Sequence, residues 1–75
     1  MGKIHVFSGR EVCAVLVAHG FEQVRQRASH VGMQRVDAGH TTTVPVPDHR
    51  ELRDGTLRSI FRQSGLPRVL FEVAG

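Results

Sequence analysis

Apolar residues recur along this chain with two different periods, and the change from one to the other marks out its elements. From Gly9 to His19 they fall at Val12, Val15, Leu16 and His19, the spacing of a helix with one buried face. Ser8-Gly9-Arg10-Glu11 supplies its start as a capping box, with Ser8 accepting from the Glu11 backbone and the Glu11 carboxylate reaching back to the Ser8 amide. Phe7 and Val12 are spaced to clamp that first turn, and Gly20 predicts a left-handed stop after which Phe21 folds back on Leu16. His19 sits where an imidazolium gains from the helix dipole, so it reads as a cap residue and not as a ligand.

From Phe21 to Arg27 the helical period is gone, and Val24 stands among polar neighbours as in a half-buried strand. A tight Ala28-Ser29 connection leads to a second strand over His30–Val36. Asp37-Ala38-Gly39 reads as a hairpin turn, with Gly39 free to take positive φ. The third strand, Thr41–Val46, is rich in β-branched residues, and Pro45 and Pro47 mark it as an edge or a strand end. Strand period then sorts the meander into two faces. With Val31, Met33, Val44 and Val46 toward the helices, His30, Gly32, Gln34 and Thr43 point away, joined by Arg25 and Arg27 opposite Val24. A slip of one residue would reverse the sorting.

Pro47–Arg53 reads as a polar loop. Asp54 is positioned as the N-cap of a second helix to about Ser64, with Leu57, Ile60 and Phe61 as its apolar stripe. Gly65 ends it, and Pro67 forbids continuation. Arg58 and Arg62 fall four apart on the opposite side, either a solvated helix face or a ridge for phosphates. At the chain's ends, residues 1–7 read as a short extended arm with Ile4 and Val6 on one side. Residues 67–75 read as an apolar tail that adds a short helix to the core or awaits a partner.

The resulting order is helix, three antiparallel strands, helix: an α+β architecture with both helices on one sheet face, read as a single domain over residues 1–75. A core of that size supplies only about 3–5 kcal/mol of net stability. The lone Cys13 excludes an internal disulfide framework and, among apolar neighbours, reads as a buried, inert thiol in a reducing, cytoplasmic setting. Lys3 and His5 interrupt any leader-like opening, and no apolar run approaches the roughly 18 residues of a membrane span. The net charge of +3 permits a polyanionic partner, and nine of the ten basic residues are arginine, whose planar fork suits phosphate.

That charge concentrates in Arg25-Gln26-Arg27-Ala28-Ser29-His30-Val31-Gly32-Met33-Gln34-Arg35, which holds three arginines, one histidine and no acidic residue. Basic side chains hold phosphates, and a histidine moves protons near neutral pH without a metal. Two readings of His30 stand on these residues: a catalytic group, or a surface residue at a strand end. A metal site from His40, Asp48 and His49 is weak, since the loop imposes no ligand geometry.

Several blocks in order resemble the HicA family of toxin ribonucleases from bacterial type II toxin–antitoxin systems. They are Gly20-Phe21, Val24-Arg25-Gln26-Arg27, Ser29-His30-Val31, Thr43-Val44-Pro45, Gly55-Thr56-Leu57-Arg58-Ser59-Ile60 and Gln63-Ser64-Gly65-Leu66. The resemblance implies a fold like a double-stranded RNA-binding domain. It implies an mRNA interferase that cleaves RNA without a cofactor and is neutralised by a HicB-type antitoxin covering the active site. The family's catalytic histidine follows a Gly-Ser pair, which corresponds to His30. Alanine stands at position 28 in place of that glycine, Gly32 is unusual inside a strand, and the tail lacks the acidic residues common in the family's last helix.

On this reading His30 acts as base or acid, with Arg25, Arg27, Ser29, Arg35, Arg58 and Arg62 contacting RNA. The alternatives are a non-catalytic RNA-binding module or attenuated family member, and an interaction domain that docks a protein through its edge strand and apolar tail.

Overall fold

The computed structural model describes residues 3–4 and 7–73. Its elements are β1 (Lys3–Ile4), α1 (Gly9–Ala18), β2 (Glu22–Arg27), β3 (His30–Asp37), β4 (His40–Pro47), α2 (Asp54–Ser64), a 3-10 turn (Arg68–Phe71) and β5 (Glu72–Val73). The central sheet is antiparallel with strand order β2-β3-β4, and β1 pairs antiparallel with β5 in a separate two-stranded sheet.

The local signals work as the residues dictate. Ser8 Oγ accepts from the Glu11 amide at 3.1 Å, and Glu11 Oε1 accepts from the Ser8 amide at 2.9 Å. At the other end of α1, Phe21 N–H donates to Leu16 O at 3.0 Å and Gly20 N–H to Val17 O at 3.2 Å, with Gly20 at φ 93°. Those two bonds satisfy orphan carbonyls and turn the chain so that Phe21 and Leu16 are both buried. His19 is the C-cap, its Nδ1 lying 2.9 Å from Val15 O.

α2 departs from expectation at its start. Asp54 is the first helical residue and not the cap; Arg53 occupies the cap position without a side-chain hydrogen bond. The Asp54 carboxylate still lies in the first turn, where it complements the dipole, as Arg62 does in the last. Ser64, almost fully buried, bridges the end: its hydroxyl donates to Phe61 O and accepts from Leu66 N–H.

One core lies between the helices and one sheet face. Val31, Met33, Val44 and Val46 meet Val12, Leu16, Leu57 and Ile60, with Phe7, Phe21 and Leu52 closing the rim. Pro45 and Pro47 fall within β4, which tolerates them because it is an edge strand. The loop after β4 is stitched to the start of α1 by Gly9 N–H to His49 O (2.8 Å) and Leu52 N–H to Phe7 O (2.8 Å). Gly9 packs directly on the Pro47 carbonyl, leaving no space for a side chain.

At the chain ends, part of the expected arm and part of the expected tail form paired strands: Lys3 opposes Val73 and Ile4 opposes Glu72. The facing proposed for Ile4 and Val6, and the apolar character assigned to Phe71 and Val73 in the tail, lie outside the described side chains. Of the rest of the tail, Leu70 packs on the core while Val69 is exposed.

A contrast between two glycines checks this packing. Gly9→Ala should lose about 1–3 kcal/mol in a urea melt, since its Cβ meets fixed backbone. Gly55→Ala, open on all sides in α2, should gain about 0.5–1 kcal/mol. Equal effects would contradict the close approach of α1 to β4.

Candidate nucleic-acid interface

Burying Val31 and Met33 forces the residues between them to the other side of the sheet. His30 is exposed at the first position of β3, with Arg27 as its partner on β2 and Pro47 on β4. Arg25 stands opposite Gly32. Directly opposed residues share a face and lie about 4.5–5.5 Å apart at Cβ. Arg25, Arg27, His30, Gly32 and Gln34 therefore occupy the face the helices leave open, together with exposed Thr43 and Pro45. Glu22, opposite Gln34, stands at the far end of that face from His30.

Two irregularities shape this face. Between Gln23 and Arg25 the register shifts, making Val24 a bulge that is exposed beside Arg25 and not half-buried opposite the arginines as alternation predicts. Gln23 and Gln26 consequently turn toward the helices, where they line a groove with Gly9, Arg10, Cys13, Val31 and Asp48. The second is the β2–β3 connection, in which only Ala28 and Ser29 separate Arg27 from His30. Ala28 is at φ 52°, in the left-handed region, where a non-glycine residue costs roughly 1–2 kcal/mol. The Ser29 carbonyl accepts from the Asp48 amide at 2.6 Å, which ties the hairpin tip to the loop after β4. Ser29 itself is exposed beside His30.

The other arginines expected to contact RNA, Arg35, Arg58 and Arg62, do not join this cluster. Arg35 lies two residues beyond Met33 and so projects on the helix side. Its guanidinium sits 4.9 Å above the Phe21 ring and donates from Nη1 to His19 O at 3.4 Å. It thus serves the C-terminus of α1, where a cation complements the dipole. Its Nε is buried without a hydrogen-bond partner among the described residues. Arg58 and Arg62 are exposed on α2, away from the buried Leu57, Ile60 and Ser64 and on the layer that covers the opposite sheet face. They form a separate basic ridge.

His40 pairs with Asp37 at one end of β4, whereas Asp48 and His49 follow its other end. Eight residues of strand span about 27 Å, and no three acidic, histidine or cysteine side chains converge on a metal-sized site among the described residues. Cys13 is half-buried rather than sealed, and burial, with a further contribution from the Asp48 carboxylate, pushes its thiol above the ordinary range. The groove beside it also contains Arg10, whose Nε lies 3.9 Å from Asp48 Oδ1. The groove was not legible in the sequence, because it depends on the bulge at Val24.

Comparison with known proteins bears on these features. Residues 9–66 match the family described as HicA toxin of bacterial toxin-antitoxin. No curated protein and no solved structure matches the chain. No helix among the described residues is long and apolar enough to cross a membrane.

Two measurements follow from the site's surroundings. Ala28→Gly should stabilise the chain by about 0.5–1 kcal/mol, the relieved strain exceeding glycine's added chain entropy. A loss in the same urea melt would mean that the turn is not strained. Iodoacetamide should label Cys13 more slowly in the folded chain than in the urea-unfolded chain, with the rise in rate displaced to higher pH. Coincident profiles would contradict the shielded thiol.

Proposed function

Because the chain belongs to the HicA toxin family, a family of bacterial toxin–antitoxin toxins, we propose that it is an endoribonuclease that cleaves mRNA by metal-independent acid/base catalysis with His30. A HicB-type antitoxin neutralises it by covering the same face. The observation that carries this reading is the position of His30: solvent-exposed, directly across a two-residue turn from Arg27, on the open cationic side of the sheet.

RNA brings its own nucleophile. Cleavage needs the 2′-hydroxyl deprotonated as it attacks the adjacent phosphorus, charge stabilised on the phosphorane, and a proton delivered to the departing 5′-oxygen. His30 performs one of the two proton transfers, worth about 10²–10⁴-fold. Arg27 and Arg25 offset the added negative charge, and the Ser29 hydroxyl and amide are further phosphate donors. A single imidazole cannot be base and acid at once, so water performs the other transfer and turnover is slow. Arg35 is left out of this role because it is engaged with Phe21 and His19. Arg58 and Arg62 act, if RNA is long enough to wrap the domain, as a separate phosphate contact on α2.

The strained Ala28 favours the second reading, an attenuated or non-catalytic RNA binder. In that case the arginines grip an RNA backbone and His30 only donates to phosphate.

Incubation with an end-labelled transcript distinguishes them. The wild-type chain should shorten the RNA, and His30→Ala should abolish cleavage and growth toxicity while leaving the melting curve and antitoxin binding unchanged. Undiminished cleavage by the variant would remove His30 from the chemistry, and a shift in mobility without shortening would favour the binding module.

A further inference from the structure

The open face carries a trough of about 430 Å³ lined by Val24, Arg25, Gly32, Gln34 and Thr43. Three features of these residues are unexplained by proton transfer at His30. Gly32 gives the trough its floor: a Cβ there would lie 3.4 Å from the Arg25 Cβ, in contact without a clash, and would fill the depression. The bulge brings Val24 to the same rim as Arg25 and leaves it 46% exposed, an apolar side chain in a cationic setting. On the opposite rim, Gln34 Nε2 donates to Thr43 Oγ1 at 3.2 Å. That bond orients the carboxamide and takes one of its two hydrogens, leaving the other to donate and the oxygen to accept.

An apolar wall, a guanidinium and an oriented amide together suit an unpaired nucleobase, which offers flat faces to pack and an edge to read. The arginines on the same face supply the charge complementarity for the strand that carries it. We propose that this trough seats one unpaired adenine of a single-stranded RNA, with Gln34 as the reading residue. The adenine N6 amino group donates to Gln34 Oε1, and Gln34 Nε2 donates to adenine N7. On that edge only adenine presents a donor beside an acceptor; guanine presents two acceptors, uracil an acceptor and cytosine a donor. The trough thus acts as a specificity subsite near the cleavage centre. The inference rests on the RNA-directed function proposed above.

Fluorescence anisotropy of the wild-type chain with labelled 2′-O-methyl nonamers tests it, since these strands lack the nucleophile and are not cleaved. The informative pair is oligo-adenosine against oligo-purine-riboside, which keeps N7 and the ring faces but lacks the N6 amino group. Wild type should prefer the adenosine strand by about tenfold, the effect of one base-edge pair. Gln34→Leu should reduce that ratio to near one without changing the salt dependence set by phosphate contacts. Gly32→Ala should weaken binding of the adenosine strand by filling the floor, without lowering the melting midpoint. Equal wild-type affinity for the two strands, or a preference that survives Gln34→Leu, overturns the adenine subsite while leaving the RNA reading intact. Absence of binding to every nonamer, as for a face that docks only protein, overturns both.

Discussion

The arrangement depends on one constraint: Val31, Met33, Val44 and Val46 must all leave water together. Each is nearly or fully buried against α1 and α2, and full burial of such a side chain stabilises by about 1.5–3 kcal/mol. Since a strand alternates faces, the same burial drives His30, Gly32 and Gln34 outward. A one-residue shift of β3 would expose its apolar pair and bury an imidazole and an amide. The core therefore sets the facing of the site without touching it.

That constraint also shows why a strained turn is tolerated. Ala28 at φ 52° costs roughly 1–2 kcal/mol, and the backbone hydrogen bonds of β2–β3 pairing, each worth about 0.5–1.5 kcal/mol, offset it. The Asp48 to Ser29 hydrogen bond holds the tip from the other side. A two-residue connection leaves Arg27 and His30 no choice but to face each other. Proximity of cation and imidazole follows from loop length as much as from any interaction between them.

Much of this was legible because its causes are local. The capping box at Ser8, the stop at Gly20 and the turn at Ala38-Gly39 each require particular residues at fixed spacing, and all form. The facing of Arg25, Arg27 and His30 followed from alternation, despite a bulge at Val24 that alternation cannot foresee. Arg35 shares its charge with Arg25 and Arg27 but its parity with Met33, and parity puts it over Phe21 on the helix side. Asp54 resembles a cap, yet the helix begins one residue earlier than a cap there would have it, at Asp54 itself, with Arg53 in the cap position. The pairing of Lys3–Ile4 with Glu72–Val73 was invisible, being a contact of two-residue strands at opposite ends of the chain. The trough escaped for the same kind of reason: an orienting bond from Gln34 to Thr43 spans two strands.

The chemistry of the cleaved ends tests the central claim most directly. Attack by the ribose 2′-hydroxyl, assisted by His30, leaves a 2′,3′-cyclic phosphate on one fragment and a 5′-hydroxyl on the other. Mass spectrometry of a short RNA incubated with the chain in chelator should find those ends, and a 2′-deoxy substitution at the cleaved position should block the reaction. Fragments ending in a 3′-hydroxyl and a 5′-phosphate, or cleavage that survives the 2′-deoxy substitution, would contradict it.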